Sequence, residues 1–162
     1  MSVRIGILSF AHMHAGSYAG AARGSQEAEL VGIADADPAR GSRMAEQFGS
    51  KFYESDEALL DQKLDGVVVC SENINHRPLV EKAVAAGVKY IACEKPLATT
   101  VEDARAMVDL CKANGVKLVM AFPCRYSEAY RRLRQQVQAG AIGDVLAIRG
   151  TNHGRMPGGW FT

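Results

Sequence analysis

The chain has 162 residues, of which 48% are hydrophobic and 23% are charged, and its formal net charge at pH 7 is +1. A chain of this length buries roughly 70% of the surface that its unfolded form exposes, so one core is stable without disulfides or metal ions. The near-neutral charge argues against nucleic acid or an anionic membrane surface as a partner, and every apolar run is shorter than the roughly 18 residues of a membrane-spanning helix.

Short apolar runs rich in β-branched residues alternate along the chain with longer segments of helical spacing. The predicted strands are Val3–Leu8, Glu29–Ala34, Lys51–Tyr53, Leu64–Cys70, Val88–Cys93 and Val116–Phe122, of which Lys51–Tyr53 is the weakest. The predicted helices are Ala15–Arg23, Pro38–Phe48, Asp56–Gln62, Pro78–Ala86, Thr100–Ala113 and Glu128–Ala139. This alternation predicts parallel strands joined by helical crossovers, an α/β doubly wound parallel sheet of the Rossmann type.

The end of the chain departs from this pattern. Asp144–Asn152 predicts one more strand, which is followed by a glycine-rich segment and the aromatic pair Trp160 and Phe161. Such an ending is typical of the opening of a further domain, so we expect the chain to stop before that domain is complete. A strand without its sheet partners exposes an edge, and exposed edges and apolar patches promote self-association, so either a homo-oligomer or a disordered tail is expected.

The four cysteines are widely spaced and form no C-x-x-C pair. They are Cys70, Cys93, Cys111 and Cys124. A domain of this size does not depend on disulfides, so reduced thiols, a cytoplasmic location and no metal site are expected.

The loop after the first strand is the first candidate for ligand binding, because ligands of open parallel sheets bind beyond the carboxyl ends of the strands. A dinucleotide fingerprint, G-x-G-x-x-G, would place glycines where Ser9, Ala11 and His14 stand. Small side chains at two of these positions still allow a pyrophosphate to approach, and the first amides of the following helix supply donors. His12 and His14 either assist the pyrophosphate when protonated, or are an exposed loop histidine and a helix-capping one. The predicted cofactor-binding residues of this loop are Ser9, Phe10, Ala11, His12 and Met13.

Asp35 closes the second predicted strand, about 20 residues beyond that loop, at the spacing where an acidic residue binds the adenosine ribose diol. Its carboxylate would repel a 2′-phosphate, which favours NAD over NADP. Arg40 would reverse that preference if its side chain turned toward the ribose. The alternative for Asp35 is a helix cap shared with Asp37 before Pro38.

Two further loops follow the strands that end at Cys70 and Cys93. The second loop begins Glu94-Lys95-Pro96. A lysine at the carboxyl end of a strand is a candidate proton donor or acceptor, so Lys95 is the predicted catalytic residue, with a solvated loop lysine as the alternative.

These segments resemble the glucose-fructose oxidoreductase, inositol dehydrogenase and MocA family of NAD(P)-dependent oxidoreductases. The run EKPLATTVEDARAMVDLCKANGVKLVMAF is similar to its Glu-Lys-Pro region, and Ser71–His76 resembles its Thr-Pro-Asn-x-x-His motif with Ser71 for Thr and Glu72 for Pro. Cys124-Arg125-Tyr126 resembles its arginine motif after a strand, and Gly140-Ala141-Ile142-Gly143 its entry to the second domain. The resemblance spans the whole chain.

The resemblance implies roles for individual residues. Lys95 would lie beside the nicotinamide and the reacting hydroxyl or carbonyl, Glu94 would orient the nicotinamide ribose, and Pro96 would follow a cis peptide bond. The other cofactor-lining positions that it implies are Ser71, Asn73, His76 and, near the nicotinamide end, Arg125.

The resemblance also implies a division into residues 1–122, the dinucleotide-binding domain, and 123–162, a connecting helix and first strand of an α+β substrate domain. The family's Asp-x-x-x-His motif falls beyond this chain, and His153 precedes that position. The implied function is the nucleotide-binding domain of an oxidoreductase, incomplete for catalysis as this chain, that moves hydride to or from a sugar, cyclitol or similar polyol. NAD is the expected cofactor, with NADP as the alternative. Because the loop lacks its glycines, a dinucleotide-binding sensor or assembly module without catalysis is the alternative function.

Overall fold

A computed structural model describes residues 2–151 and 153. Within that part of the chain, six parallel strands form one sheet in the order β3-β2-β1-β4-β5-β6. The strands are β1 (Val3–Leu8), β2 (Ala28–Ala34), β3 (Lys51–Tyr53), β4 (Gly66–Val69), β5 (Tyr90–Cys93) and β6 (Lys117–Met120). The helices are α1 (Ala15–Gly24), α2 (Pro38–Gln47), α3 (Asp56–Leu60), α4 (His76–Ala85), α5 (Val101–Ala113) and α6 (Glu128–Gln138), with 3₁₀ turns at Asn73–Asn75 and Pro123–Tyr126.

The predicted doubly wound α/β sheet is therefore confirmed, and the ends of the elements shift by one or two residues. The fourth strand is shorter than predicted, Gly66–Val69 instead of Leu64–Cys70. Helix α4 begins at His76, two residues before Pro78. A proline fits there because the first four amides of a helix have no intrahelical acceptor.

Strand β1 lies at the centre of the sheet, between β2 and β4. The chain therefore runs outward from β1 to β3 on one side and then from β4 to β6 on the other. The point where the strand order reverses lies between β1 and β4, and the carboxyl ends of these two strands flank the crevice in which such sheets bind ligands.

The two faces of the sheet bury separate apolar clusters. Leu8, Val69 and Ile91 belong to the cluster that packs with α4 and α5. Ile7 and Ile33 belong to the other cluster, with Phe10 and alanines of α1 and α2. Ile7 and Leu8 are adjacent in the chain and both fully buried, which is what a strand covered on both faces requires. Full burial of one such side chain contributes about 1.5–3 kcal/mol, so the carboxyl end of β1 is firmly held under the ligand crevice.

Helix α2 starts at Asp37, whose carboxylate accepts hydrogen bonds from the backbone N–H groups of Ala39 at 3.0 Å and Arg40 at 3.1 Å. Pro38 occupies the first helical turn, where its missing N–H costs nothing. Asp37 alone caps this helix, so the idea that Asp35 shares the cap is wrong.

Two glycines within helices differ in what a side chain would meet. At Gly41 on α2, an added methyl group would overlap the ring of Phe52 and lie 2.9 Å from Cβ of Asp35, whereas at Gly20 on α1 nothing lies within 4 Å. Gly41→Ala is therefore expected to destabilise the protein by about 1–3 kcal/mol through overpacking. Gly20→Ala is expected to stabilise it by about 0.5–1 kcal/mol, because alanine loses less backbone entropy in a helix. Urea unfolding measures both free energies, and effects of the same sign would contradict the close packing of α2.

The chain divides into two compact units, Met1–Ala121 and Phe122–Thr162. In the second unit, Ser127 caps α6 by accepting a hydrogen bond from the backbone N–H of Tyr130. Arg132 and Glu128 form an ion pair of 2.7 Å one turn apart on this helix. The division into a dinucleotide-binding domain and the start of a substrate domain stays a prediction.

The strand predicted at Asp144–Asn152 is wrong for the residues that the structure describes. Residues 144–151 contain no strand, and the side chains of Leu146 and Ile148 are 94% and 87% exposed. A strand satisfies its backbone by pairing with a neighbour, and the described residues of this unit provide no neighbouring strand. Asn152, Trp160 and Phe161 lie outside the described residues.

None of the helices in the described part of the chain has the combination of length and apolarity that crossing a bilayer requires.

Candidate functional site

The predicted site residues of the first unit come from loops at the carboxyl edge of the sheet. The loop from β1 to α1 lies between the ends of β2 and β4, because Ser9 N–H donates to Ala34 O at 2.7 Å and His12 N–H donates to Cys70 O at 2.9 Å. The loop after β5 joins the same edge, where Glu94 N–H donates to Val69 O at 3.0 Å. The topology therefore brings together three chain segments that are far apart in sequence.

Ser9 has a φ of +73°, the left-handed backbone conformation that favours glycine. For an L residue other than glycine this conformation costs roughly 1–2 kcal/mol. The Ser9 hydroxyl offsets part of this cost, since it accepts from Ala11 N–H at 3.1 Å and donates to Asp35 at 3.5 Å. Ser9 thus adopts a left-handed backbone conformation, which favours glycine, at the position of the first fingerprint glycine.

The other amides of this loop determine where a phosphate can bind. Phe10 N–H donates to Asp35 at 2.6 Å, and His14 N–H faces Nδ1 of His12 at 3.3 Å. The N–H of Met13 has no acceptor among the residues that the structure describes. Met13 N–H, next to the N-terminus of α1, is therefore the loop donor available to an anion.

Asp35 anchors this loop from the end of β2. Its side chain is fully buried, and it accepts hydrogen bonds from the Phe10 and Asp37 N–H groups at 2.6 and 2.9 Å and from Arg40 at 2.6 and 2.9 Å. Burial alone raises the pKa of this carboxyl, but the hydrogen bonds from Arg40 and the two backbone amides outweigh burial and the pKa is lowered. For Asp35 to bind a ribose diol, one of these donors has to give up its place.

Arg40 is held by two carboxylates. Its Nη2 atom lies 2.6 Å from Oδ1 of Asp35 and 4.0 Å from Oε1 of Glu72. The hydrogen bond to Asp35 raises the pKa of the guanidinium. Arg40 is therefore turned into the protein and already neutralised, which removes the cation that a 2′-phosphate would need. The sequence did not predict that Glu72, which occupies the position of a proline in the family motif, lies next to Arg40.

A cleft of about 220 Å³ lies between the ends of β1 and β2 and the start of α4. Its lining includes Ser9, Ala36, Ser71, Asn75 and Leu79. Three charged residues also line it, namely Asp56, Glu72 and Lys82; Lys82 pairs with Asp56 at 2.8 Å, and Glu72 lies 4.0 Å from Arg40. The cleft therefore has a mixed lining of small, apolar and charged side chains, and it lies next to the end of β2, which Asp35 follows.

Glu94 is the buried centre of the second part of the site, with no exposed side-chain surface. Its Oε1 accepts from the Tyr18 hydroxyl at 2.7 Å and lies 2.9 Å from Nδ1 of His14, and its Oε2 accepts from Lys95 N–H at 3.0 Å. Burial by itself raises the pKa of Glu94, but these hydrogen bonds and His12 outweigh it and the pKa is lowered. Glu94 is therefore a carboxylate that connects α1 to the Lys95 loop.

Tyr18 and His14 were not predicted as partners of Glu94. His14 occupies the N-cap position of α1, but its side chain makes no cap hydrogen bond, so the alternative of a helix-capping histidine is wrong. Residues four apart lie on the same face of a helix, so the spacing of His14 and Tyr18 is a signal that they approach one common group. The sequence contains no signal that the group is Glu94.

Lys95 extends toward His12, and the distance between Nζ of Lys95 and Nε2 of His12 is 3.4 Å. His12 is mostly buried, with 18% of its side chain exposed, and its Nδ1 lies 3.9 Å from Oε2 of Glu94. Burial is the main reason that the pKa of His12 is lowered from 6.5, with Glu94 opposing this shift and His14, Lys95 and His76 adding to it. His12 is therefore not the exposed loop histidine that was one of its two predicted alternatives.

His76 and Ser71 were predicted to line the cofactor, and both are buried. Nδ1 of His76 lies 2.9 Å from Pro96 O, and its Nε2 lies 3.3 Å from Ser71 O. His76 thus links the loop after β4 to the loop after β5, and its fully buried side chain supports the site from behind. The peptide bond between Lys95 and Pro96 is cis, which confirms the implied cis peptide.

Asn73 and Arg125 are the two remaining predicted residues. Asn73 is exposed at the start of the 3₁₀ turn before α4. Arg125 lies in the second unit, where its guanidinium is 5.4 Å from the centre of the Phe122 ring. Their cofactor contacts stay predictions.

The ligand atoms of His12, His14 and Glu94 lie within 4.8 Å of one another, close enough to surround one cation. The same atoms already face other donors, however, since Tyr18 and Lys95 N–H occupy the Glu94 oxygens. The Lys95 ammonium beside His12 also repels a cation. We assign these three residues to a hydrogen-bonded network and not to a metal.

The β1–α1 loop, the acidic residue after β2 and the lysine after β5 lie together at the carboxyl edge of a parallel sheet, where Rossmann-type domains bind dinucleotides. Residues 3–122 match a family described as "Oxidoreductase family, NAD-binding Rossmann fold". The chain belongs to this family, that of glucose-fructose oxidoreductase, inositol dehydrogenase and MocA, and the resemblance found in the sequence is confirmed.

Curated relatives include inositol 2-dehydrogenase from Rhizobium meliloti, 32% identical over 91% of this chain and 44% of the relative. D-apiose dehydrogenase from Paraburkholderia graminis is 37% identical over 85% of this chain and 36% of the relative. Among solved structures, myo-inositol dehydrogenase from Lactobacillus casei in complex with NAD(H) and myo-inositol has a TM-score of 0.80 and 30% identity, covering 88% of this chain and 43% of that one. The chain therefore spans less than half the length of these relatives.

Proposed function

We propose that this chain is the nucleotide-binding domain of an NAD-dependent oxidoreductase that moves hydride to or from a carbon of a sugar, cyclitol or similar polyol. The observation that carries the proposal is the position of Lys95, which lies at the carboxyl end of β5 beside the β1–α1 loop. Family membership supports it, and so do the relatives, which are named as dehydrogenases of inositol and of D-apiose. Substrate choice and complete activity depend on a substrate domain that residues 123–162 would begin.

Residues of this chain would contact both ends of a dinucleotide. The adenosine end would occupy the cleft beside Asp35, and the pyrophosphate would accept from Met13 N–H at the positive end of α1. Ser9, Phe10, Ala11 and His12 would form the loop around it. The nicotinamide, when bound, supplies the hydride acceptor or donor.

The protein's own residues handle the proton. Lys95 would hold the reacting oxygen through Nζ, taking its proton when an alcohol is oxidised and returning a proton when a carbonyl is reduced. Glu94 positions Lys95 by accepting its backbone N–H at 3.0 Å and ties this loop to α1 through Tyr18 at 2.7 Å. Ser71, Asn73 and Arg125 are the proposed remaining contacts, and His76 supports the lysine loop.

NAD is the proposed cofactor because Arg40 is already bound by Asp35 and lies near Glu72. Isothermal titration of this chain with NAD, NADH, NADP and NADPH is the test, and NADH is expected to bind more tightly than NADPH. Glu72→Gln removes one of the two carboxylates that neutralise Arg40. Since a partly exposed charge pair is worth up to about 1 kcal/mol, the affinity for NADPH is expected to rise about threefold to fivefold while that for NADH stays the same.

The matched control is Glu81→Gln, which removes a carboxylate that pairs with Arg77 on the exposed side of α4. This variant is expected to change neither affinity. If none of the four dinucleotides binds, the proposed function is wrong. If Glu72→Gln changes the affinities for NADH and NADPH equally, the role of Arg40 in cofactor choice is wrong.

The alternative is a dinucleotide-binding sensor or assembly module without catalysis, favoured by the substitution of all three fingerprint glycines. It predicts binding of NADH but no oxidation of any polyol by the whole protein. We further propose a homo-oligomer that acts in the cytoplasm on a small polyol, independently of nucleic acid and membranes. The near-neutral net charge supports this, as do the buried thiols of Cys70, Cys93 and Cys111. Sedimentation of the purified protein with and without DNA tests the assembly and the absence of nucleic acid.

A further inference from the structure

The His12 imidazole lies between the Glu94 carboxylate and the Lys95 amine. Its Nδ1 is 3.9 Å from Oε2 of Glu94, and its Nε2 is 3.4 Å from Nζ of Lys95. His12 is therefore the link in a carboxylate, imidazole and amine series that ends at the proposed proton donor or acceptor.

Hydrogen-bond chemistry limits where the protons of this series can lie. A lysine ammonium has only donors, so it can approach Nε2 favourably only if that nitrogen presents its lone pair. The imidazole proton then sits on Nδ1, on the side of Glu94. The Nδ1–H tautomer gives up the contact in which His14 N–H donates to Nδ1 at 3.3 Å. The opposite tautomer keeps that contact, but an Nε2–H group would then face the N–H groups of a Lys95 ammonium.

We propose that His12 is a positioning residue that holds the Lys95 amine and exchanges one proton with it. Lys95 then loses and regains its proton through His12. This inference rests on the proposed function, because it assigns the proton path of the same reaction. During oxidation, the substrate O–H bond breaks, its proton goes to the Nζ lone pair of neutral Lys95, and the hydride leaves the carbon for the nicotinamide. The Lys95 ammonium then passes a proton to Nε2 of His12, and the imidazolium returns to its Nδ1–H form by releasing one proton from Nε2 to water. Reduction runs the same steps in reverse.

The surroundings of His12 suit this role. Among the residues that the structure describes, the charged and titratable groups that influence the His12 ring include Glu94 and Lys95 from the loop after β5, His14 at the start of α1 and His76 from α4. Burial lowers the pKa of His12, with His14, Lys95 and His76 adding to the shift and Glu94 opposing it, so the resting imidazole at neutral pH is uncharged and one ring nitrogen keeps its lone pair. The negative charge of Glu94 stabilises the imidazolium and so lowers the free energy needed to form it. Neighbouring groups of both signs thus let His12 take up and release a proton.

Long-range ¹H–¹⁵N NMR of this chain tests the arrangement without any turnover, because it reports the tautomer of each histidine. The expected result at pH 7.5 is a His12 ring protonated on Nδ1. In Lys95→Met the donor to Nε2 is lost, so His12 is expected to change to the Nε2–H tautomer, with Nδ1 accepting from His14 N–H. His14→Gln serves as the comparison, since it leaves the Lys95 contact in place and the Nδ1–H tautomer should remain. A His12 protonated on Nε2 in the unmodified chain overturns the proposal.

The kinetic test uses the whole protein that carries this chain, with His12→Gln. Glutamine can still accept from the lysine but takes up no proton at these pH values. We expect kcat to fall about tenfold to a hundredfold with KM changed less than about twofold, and the limb of the kcat–pH profile that follows His12 to disappear. An unchanged profile overturns the relay. If the NMR result is as expected but no polyol is oxidised, the proposed function is wrong and the contact between His12 and Lys95 is still supported. If polyols are oxidised but His12 has the other tautomer, only the proton relay is wrong.

Discussion

Lys95→Met is expected to lower the turnover number of the whole protein by about 10²–10⁴-fold, because a positioned proton donor or acceptor contributes a factor of this size. Methionine keeps most of the length of the side chain and removes the amine. The backbone N–H that donates to Glu94 at 3.0 Å is retained, so the site keeps its shape. NADH binding to this chain is therefore expected to change less than threefold. Steady-state kinetics and calorimetric titration measure the two quantities.

Lys89→Met is the matched control, since Lys89 is exposed before β5 on the opposite edge of the sheet from the site. Its turnover number is expected to equal that of the unmodified protein. A Lys95→Met protein that retains more than about a tenth of the original activity would show that another group moves the proton. Equal losses in both lysine variants would show that the effect is not local to the site.

Glu94→Leu is expected to destabilise the first unit by about 3–5 kcal/mol, because it removes a buried carboxylate and leaves its donors without an acceptor. The donors are the Tyr18 hydroxyl, the Lys95 N–H and the His14 ring. In the double variant Glu94→Leu with Tyr18→Phe, one stranded donor is also removed, so the loss of stability should be less than the sum of the two single losses. Urea unfolding at pH 7 gives these free energies. Strict additivity would mean that Tyr18 and Glu94 do not stabilise one another.

The pH dependence of stability provides a second measurement on the same variant. The pKa values of Glu94 and Asp35 are lowered below their ordinary values of 4.5 and 3.8, so their contributions are present above those values and are lost as the pH falls through the lower, folded-state values. The pKa of His12 is lowered from 6.5, so below pH 6.5 the unfolded chain binds the extra proton first and stability declines. Glu94→Leu should therefore lose less stability than the unmodified protein between pH 5 and pH 3.

The sheet could be predicted from the sequence because most strands carry a short, largely apolar run that alternates with segments of helical spacing. The ends of the strands could not be predicted as well. The predicted fourth strand begins at the apolar residue Leu64, but the hydrogen-bonded ladder begins only at Gly66, opposite Ile5 of β1. The strand predicted at Asp144–Asn152 failed for a related reason, since an apolar run becomes a strand only where a neighbour pairs with it.

The sequence allowed us to predict which single residues at the strand ends belong to the site. Asp35, Lys95 and the β1–α1 loop all lie at the predicted edge of the sheet. Their partners were not predictable, because the contacts of Glu94 with His14 and Tyr18 span 80 and 76 residues of sequence. No local pattern specifies which buried carboxylate a helix will meet. The Arg40 side chain shows the same limit, because its direction is decided by Asp35 together with Glu72.

The left-handed backbone at Ser9 has a consequence for how dinucleotide loops are recognised in genomes. A search for the sequence motif G-x-G-x-x-G requires glycine at this position and does not find this loop. What the turn requires is a torsion angle, and serine meets that requirement by sharing its hydroxyl between Ala11 and Asp35. A description of such loops in dihedral angles and hydrogen-bond partners would include a serine-containing loop of this kind.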